Sequence, residues 1–157
     1  MKKTLFLSLI LLSIISCKNS SHQPLIQQIS FGSSFSECIG YCKNEMALDS
    51  GKITIKRSGW NNTVKPIFCE VSQDKNVLNN LSKKIDAVSF FNMQEVWGCP
   101  DCADGGAEWI EITLRSGKKH KVTFEYLKEP AALKNIAADL RIKLDKTPCV
   151  VLEDNIK

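Results

Sequence analysis

The chain has 157 residues, a net charge of +4 and seven cysteines. This length predicts a single domain. Two of the basic residues, Lys2 and Lys3, lie in a predicted export signal, and the small charge that remains gives no basis for a nucleic acid partner. We therefore predict no nucleic-acid-binding function.

The first sixteen residues have the organisation of a secretion signal. Two lysines precede an apolar run over 5–15, which is shorter than the ~20 residues that span a bilayer. Ile14-Ile15-Ser16-Cys17 follows and resembles the bacterial lipobox, which implies cleavage before Cys17 and attachment of acyl chains such as palmitate to it. The alternative is an uncleaved signal anchor with an incidental cysteine.

This interpretation divides the chain into three parts. We predict a lipoprotein signal peptide over 1–16, a lipidated cysteine and flexible tether over 17–25, and a single domain over 26–150. Lys18, rather than an aspartate, follows the lipidated cysteine. The predicted location is therefore the cell envelope, with the lipid in the outer membrane.

Alternating apolar residues predict strands in the first half of the domain. A strand candidate covers 25–35, a hairpin turns at Ser50-Gly51, and a further strand places Cys69 on an inward face. Apolar residues at helical spacing then predict a helix that ends at Phe90-Phe91, and a second helix begins near Pro130. Together these elements predict an α+β domain, an antiparallel sheet of about five strands with two helices packed on one face.

A late hairpin has the clearest strand pattern in the chain. Its first strand places Ile110, Ile112 and Leu114 on one face, and its second does the same with Val122, Phe124 and Tyr126. A three-residue loop over 116–118 would pair Ile112 with Val122, so that the apolar faces coincide. We expect Gly117 or Lys118 to have a positive φ in that loop.

Six cysteines remain after Cys17, and an even number in an exported domain indicates disulfides. Cys99-Pro100-Asp101-Cys102 also matches the C-x-x-C of thiol oxidoreductases, but no helix follows to activate a thiolate. Together with Cys38 and Cys42 this pair could hold zinc. Redox and metal-handling functions stay open as alternatives.

No other catalytic centre is indicated by the sequence. His120 near a hairpin tip has no evident nucleophile partner and is expected to be a surface or rim residue. We predict no enzyme activity, no cofactor and no metal. The candidate binding surface is instead the loop region of Trp97, Asp101, Asp104 and Trp109, with Trp109 on the outer sheet face, where it is either an exposed contact or a lid over the cysteine loop.

Three stretches, ISFGSSFSECIGYCKNE, GCPDCADGGAEWIEI and HKVTFEY, resemble a family of small exported lipoproteins of Bacteroidetes-type bacteria that is a domain of unknown function. The resemblance places Cys38, Cys42, Cys99 and Cys102 in shared motifs. It thereby implies that Cys69 pairs with Cys149, and that two bridges tie the 38–42 turn to the 99–102 loop.

The second half, from 77 to 144, is also similar in layout to emfourin-type inhibitors of thermolysin-like metalloproteases. Gly117, His120 and Val122 fit the turn of that family, although the cysteine loop departs from it. We therefore predict a membrane-anchored, non-catalytic binding or protease-inhibitor-like module with a protein or glycan partner.

Overall fold

The structure, a computed structural model, describes residues 25–60 and 64–149. The predicted signal peptide, the lipid attachment at Cys17 and the tether before residue 25 lie outside the described residues. The elements, in chain order, are β1 (Ile26–Ser34), β2 (Lys43–Leu48), β3 (Lys52–Ser58), β4 (Ile67–Ser72), α1 (Asn76–Ser82), α2 (Ala87–Phe91), β5 (Val96–Trp97), β6 (Ala107–Leu114), β7 (Lys119–Glu125) and α3 (Lys134–Lys146), with short 3₁₀ turns at Cys102–Asp104 and Ala131–Leu133.

The strands form one sheet in the order β4-β3-β2-β1-β6-β7-β5. Every pair is antiparallel except β5 with β7. The predicted combination of an antiparallel sheet with helices is confirmed, but the described residues contain seven strands and three helices rather than about five and two. The two-residue β5 is too short to show a pattern.

The predicted first helix is divided into α1 and α2. The carboxylate of Asp86 accepts hydrogen bonds from the N–H groups of Val88 and Ser89, at 3.1 and 3.3 Å, and so caps a new helix. The apolar spacing continues across this break, which explains why periodicity alone predicted one helix.

One face of the sheet carries the core. Alternate residues of the strands, among them Phe31, Ile55, Ile112 and Phe124, are fully buried and pack with Leu140 of α3 and its neighbours. The opposite face carries mostly small and charged side chains. We call the first the inner face and the second the outer face.

The late hairpin differs from its predicted register by two residues. Ile110 lies opposite Val122, and Ile112 lies opposite His120. The loop contains three residues as predicted, but they are 115–117, and Gly117 has a φ of 84°. The apolar faces still coincide because a shift of two residues preserves the alternation.

His120 lies on the inner face, two residues before Val122, and the shift places it opposite Ile112. Its Nε2 lies 2.9 Å from the carbonyl oxygen of Met93, and its ring contacts the rings of Phe90 and Phe91 edge to face or tilted. The imidazole is half-buried at the sheet margin, so of the two expected positions, surface or rim, it occupies the rim.

The two ends of the sheet have different surroundings. At one end, called proximal, the N–H of Arg115 donates to the carbonyl of Leu25, so the chain enters the domain beside the 115–117 turn. At the other end, called distal, β1, β3 and β7 finish and β2, β4 and β6 begin. The loops 35–42 and 98–106 lie at the distal end.

Candidate functional site

The 38–42 loop at the distal end is closed by a disulfide and carries an exposed aliphatic side chain. Cys38 and Cys42 are joined by a disulfide with a Cα–Cα distance of 5.5 Å, so the loop between them is closed. Gly40 has a φ of 97°, and the N–H of Cys42 donates back to its carbonyl. Ile39 at the apex is 104% exposed, which means that no neighbouring side chain covers it.

Hydrogen bonds from aromatic side chains support this loop. The hydroxyl of Tyr41 donates to the carbonyl of Lys65 at 3.2 Å. The indole N–H of Trp60 donates to the carbonyl of Phe35 at 2.5 Å. Tyr41 and Trp60 both remain exposed, so the distal end presents two aromatic side chains beside Ile39.

The 98–106 loop has an unusual backbone. Asp101, Ala103 and Asp104 have φ values of 63°, 50° and 58°, a conformation that L-residues rarely adopt. The N–H of Asp101 donates to the carbonyl of Gly106, and Cys99 and Cys102 are joined at a Cα–Cα distance of 5.4 Å. The backbone hydrogen bond between Asp101 and Gly106 and the disulfide between Cys99 and Cys102 stabilise this conformation.

The two loops meet without a covalent bond. The carboxylate of Asp101 accepts a hydrogen bond from the N–H of Ser36 at 3.3 Å. Gly106 lies against the ring of Phe35 so closely that a Cβ there would overlap it, and Phe35 packs edge to face on Tyr126 with ring centres 4.7 Å apart. This contact requires glycine at position 106.

The predicted bridges between the two loops are therefore wrong. Each loop closes on itself, because the Cα atoms within each cysteine pair already lie at the separation that a disulfide needs. The same bonds leave no set of four free thiolates for zinc. Cys69 pairs with Cys149, as the family resemblance implied, and ties β4 to the chain after α3.

The two tryptophans of the candidate surface lie on opposite faces. Trp97 is half-buried against the core on the inner face, and its indole N–H donates to the carbonyl of Gln94. Trp109 lies on the outer face as predicted, but it is only 8% exposed. The ammonium groups of Lys43 and Lys121 lie 5.5 and 4.5 Å from its ring centre.

The structure therefore does not unite the four predicted residues. Asp101 and exposed Asp104 belong to the distal loops, whereas Trp109 lies flat over Gly32 within the sheet. The expectation of an exposed tryptophan contact is wrong, and so is the alternative of a lid over the cysteine loop. Its position over a glycine shows that this indole fills a gap in the sheet surface.

A buried charge cluster near the distal end was missed by the sequence analysis. Glu108 is 1% exposed and accepts hydrogen bonds from Nε and Nη2 of Arg141, at 2.7 and 2.5 Å. Arg141 also donates to Glu129 at 2.5 Å, and the N–H of Leu127 donates to Glu108 at 3.1 Å. The cluster joins β6, α3 and the 127–129 segment.

Electrostatics inside the cluster favour its charged form. The hydrogen bond from Arg141 lowers the pKa of Glu129, and the hydrogen bond to Glu108 raises the pKa of Arg141. A signal for the cluster existed in the sequence. Glu108 lies two residues before Ile110 and four before Ile112 on the same strand. Because side chains alternate between the two faces of a strand, Glu108 belongs to the inner face with them.

The backbone at Cys99 is held to the end of β7. Its N–H donates to the carboxylate of Glu125 at 3.0 Å, and the hydrogen bonds from Lys128 and from this N–H lower the pKa of Glu125. This contact fixes the start of the 98–106 loop.

No helix within residues 25–60 and 64–149 is both long and apolar enough to cross a membrane. No group of three or more histidine, cysteine or acidic side chains in the described ranges could hold a metal ion.

Comparison with protein-family profiles finds no match to this chain, and comparison with curated proteins finds none either.

Proposed function

We propose that this protein is a lipid-anchored, non-catalytic binding module of the bacterial cell envelope, and that its distal loops contact a protein partner. The observation that carries the proposal is Ile39, a fully exposed aliphatic side chain at the apex of a disulfide-closed loop. Exposed apolar side chains that cluster at a surface commonly mark an interaction site.

The position of the loops relative to the chain entry supports this function. Leu25 lies at the proximal end, and β1 runs from there to the distal end over nine residues, which is about 30 Å. A lipid on Cys17 would hold the proximal end towards the membrane. The distal loops would then face away from it, where a partner can reach them.

The rigidity of the loops is a second support. Association is weakened when a partner must order flexible side chains and loops, so a preorganised loop binds more tightly. The bond between Cys38 and Cys42, and the hydrogen bonds of Tyr41 and Trp60, fix this part of the surface. Tyrosine and tryptophan are also typical of residues that dominate binding energy.

An inhibitor of a protease is one form that such a module can take, and the layout resemblance to emfourin-type inhibitors supports testing that class first. The family of small exported lipoproteins stays part of the proposal, since its shared motifs coincide with the two disulfide loops. A glycan partner is less well supported, because Trp109, the predicted contact on the outer face, is only 8% exposed.

The proposal can be tested by photo-crosslinking in the native envelope. A photoreactive phenylalanine at position 39 should give one defined crosslinked protein, and the same residue at position 88 should not. Val88 is a suitable control because it is apolar and exposed but lies on α2, away from the distal loops. The variant Ile39→Asp, made in the full chain, should no longer bind the partner protein that crosslinking identifies.

Two results would count against the proposal. Equal crosslinking from positions 39 and 88 would show that the apex has no specific partner. Disulfide-exchange activity that disappears in Cys99→Ser would favour the redox alternative instead.

The lipid anchor has a separate test. Cys17→Ala should leave unprocessed precursor without acyl chains, as read by mass spectrometry.

A further inference from the structure

A groove lies far from the distal loops, between α1, α3 and the strands β3 and β4. It has a volume of about 560 Å³. This is within the range of small-molecule sites, which is roughly 300 to 1,000 Å³. Its apolar lining comes from three directions: Ile53 and Val71 from the strands, Val77 and Leu81 from α1, and Ile142 from α3.

Ile142 is the most informative of these residues. It is 53% exposed although it belongs to an otherwise amphipathic helix whose apolar residues Ile136, Leu140 and Leu144 are buried. Its exposure is explained by the open groove beside it. A ligand with an apolar body would cover this side chain and gain the free energy of burying it.

The rim of the groove is basic. Lys84 is paired with Asp139 at 2.5 Å, whereas Lys143 and Lys146 form no ion pair in the described part of the chain. These two ammonium groups lie on the same helix as Ile142, one and four residues further on. The groove therefore offers positive charge next to an apolar surface.

Gln73 forms part of the groove wall and is fixed by hydrogen bonds. Its Nε2 donates to the carbonyls of Asp49 and Lys52, at 2.9 and 3.2 Å. Its Oε1 is shielded from solvent even though the groove is open, so Gln73 gives the wall a fixed shape and offers no acceptor to a ligand.

We propose that this groove binds a small amphipathic anion, an aliphatic chain that ends in a carboxylate. The aliphatic part contacts Ile142 and the apolar lining, and the carboxylate pairs with Lys143 and Lys146. This site is independent of the distal loops and of the function proposed for them.

The ligand is taken to be a free molecule in solution rather than a bilayer. The groove has walls on three sides, and the two lysines that form no ion pair among the described residues lie on one of them, which suits a single chain with one charged end. One other occupant remains as an outcome of the test, the C-terminal residues 150–157 of this chain.

The experiment uses the full chain with Cys17→Ser, which removes the proposed acyl-attachment thiol, in buffer without detergent. The probe is decanoate labelled with ¹³C at its carboxyl carbon, followed by NMR below its micellar concentration. We expect one saturable site. Ile142→Asp should weaken binding at least about tenfold, because it places a negative charge beside the aliphatic chain. Lys143→Gln with Lys146→Gln should weaken binding several-fold and reduce its salt dependence.

The matched control is Val88→Asp, since Val88 is 56% exposed and lies on α2 outside the groove. It should bind decanoate as the parent chain does. The proposal is overturned if decanoate shows no saturable binding, or if Ile142→Asp binds equally well. It is also overturned if binding appears only after residues 150–157 are removed, which would make the C-terminus the occupant.

Discussion

Disulfides have different roles in the body of the sheet and in its distal loops. In the body, Cys69 and Cys149 are 80 residues apart, and their bond restricts a large part of the unfolded chain. In the distal loops the paired cysteines are only four and three residues apart. The first bond stabilises the domain, whereas the other two mainly fix local shape.

The largest expected effect comes from the bond in the body. Replacing Cys69 and Cys149 together by serine should lower the free energy of unfolding by about 4 to 5 kcal/mol in the chain-entropy model. The same double replacement at Cys99 and Cys102 should lower it by about 2 kcal/mol, since that loop is short. Urea unfolding of both variants measures the difference, and equal losses would contradict the contrast.

The buried cluster should give the next largest effect. Glu108→Gln leaves Arg141 with one charged partner in a buried site and should cost about 3 kcal/mol of stability, measured by urea unfolding. Glu70→Gln is the matched control, because Glu70 pairs with Lys52 at the exposed surface and should show no measurable change. If both variants unfold alike, the cluster does not hold α3 to the distal end.

A glycine of the outer face should respond more moderately. In Gly32→Ala the added Cβ would overlap the indole of Trp109, and overpacking of this kind costs about 1 to 3 kcal/mol. Gly51→Ala serves as the control, since an added Cβ there meets nothing within 4 Å. Thermal unfolding of the two variants tests this, and a neutral Gly32→Ala would mean that Trp109 moves freely.

The smallest expected effect is a change in acid sensitivity. Arg141 lowers the folded-state pKa of Glu129 below its ordinary value of 4.5, so the carboxylate contributes stability above that pH. The contribution is lost as the pH falls through the lowered pKa. Glu129→Gln should therefore unfold with a weaker pH dependence below about 4.5, by urea unfolding at several pH values. An unchanged slope would show that the pair is screened.

Much of the fold could be predicted from alternation alone. The inward positions of Ile110, Ile112 and Leu114 follow from parity, because an apolar face of a strand must be buried. Parity does not fix the exact register, since a shift by two residues leaves every side chain on its face. The hairpin therefore folds with His120, rather than Val122, opposite Ile112.

The candidate site was less predictable because it depends on contacts between distant segments. The local pairing of Cys38 with Cys42 depends on how tightly each loop turns, and cysteine counts give no information about that. Trp109 is covered by lysines from β7, which is adjacent to β6, and from β2, which lies beyond β1, and only the assembled sheet brings them together. Glu108 finds its partner Arg141 33 residues away.

The path of β1 has a mechanical consequence. This strand enters at the proximal end, ends at the distal loops and is hydrogen-bonded on both sides, to β2 and to β6. A pulling force between an anchored N-terminus and a molecule held at the distal end acts along the strand, perpendicular to those hydrogen bonds. All of them then resist in shear at the same time instead of opening one by one. The domain is thus suited to transmit tension between its two ends without unravelling.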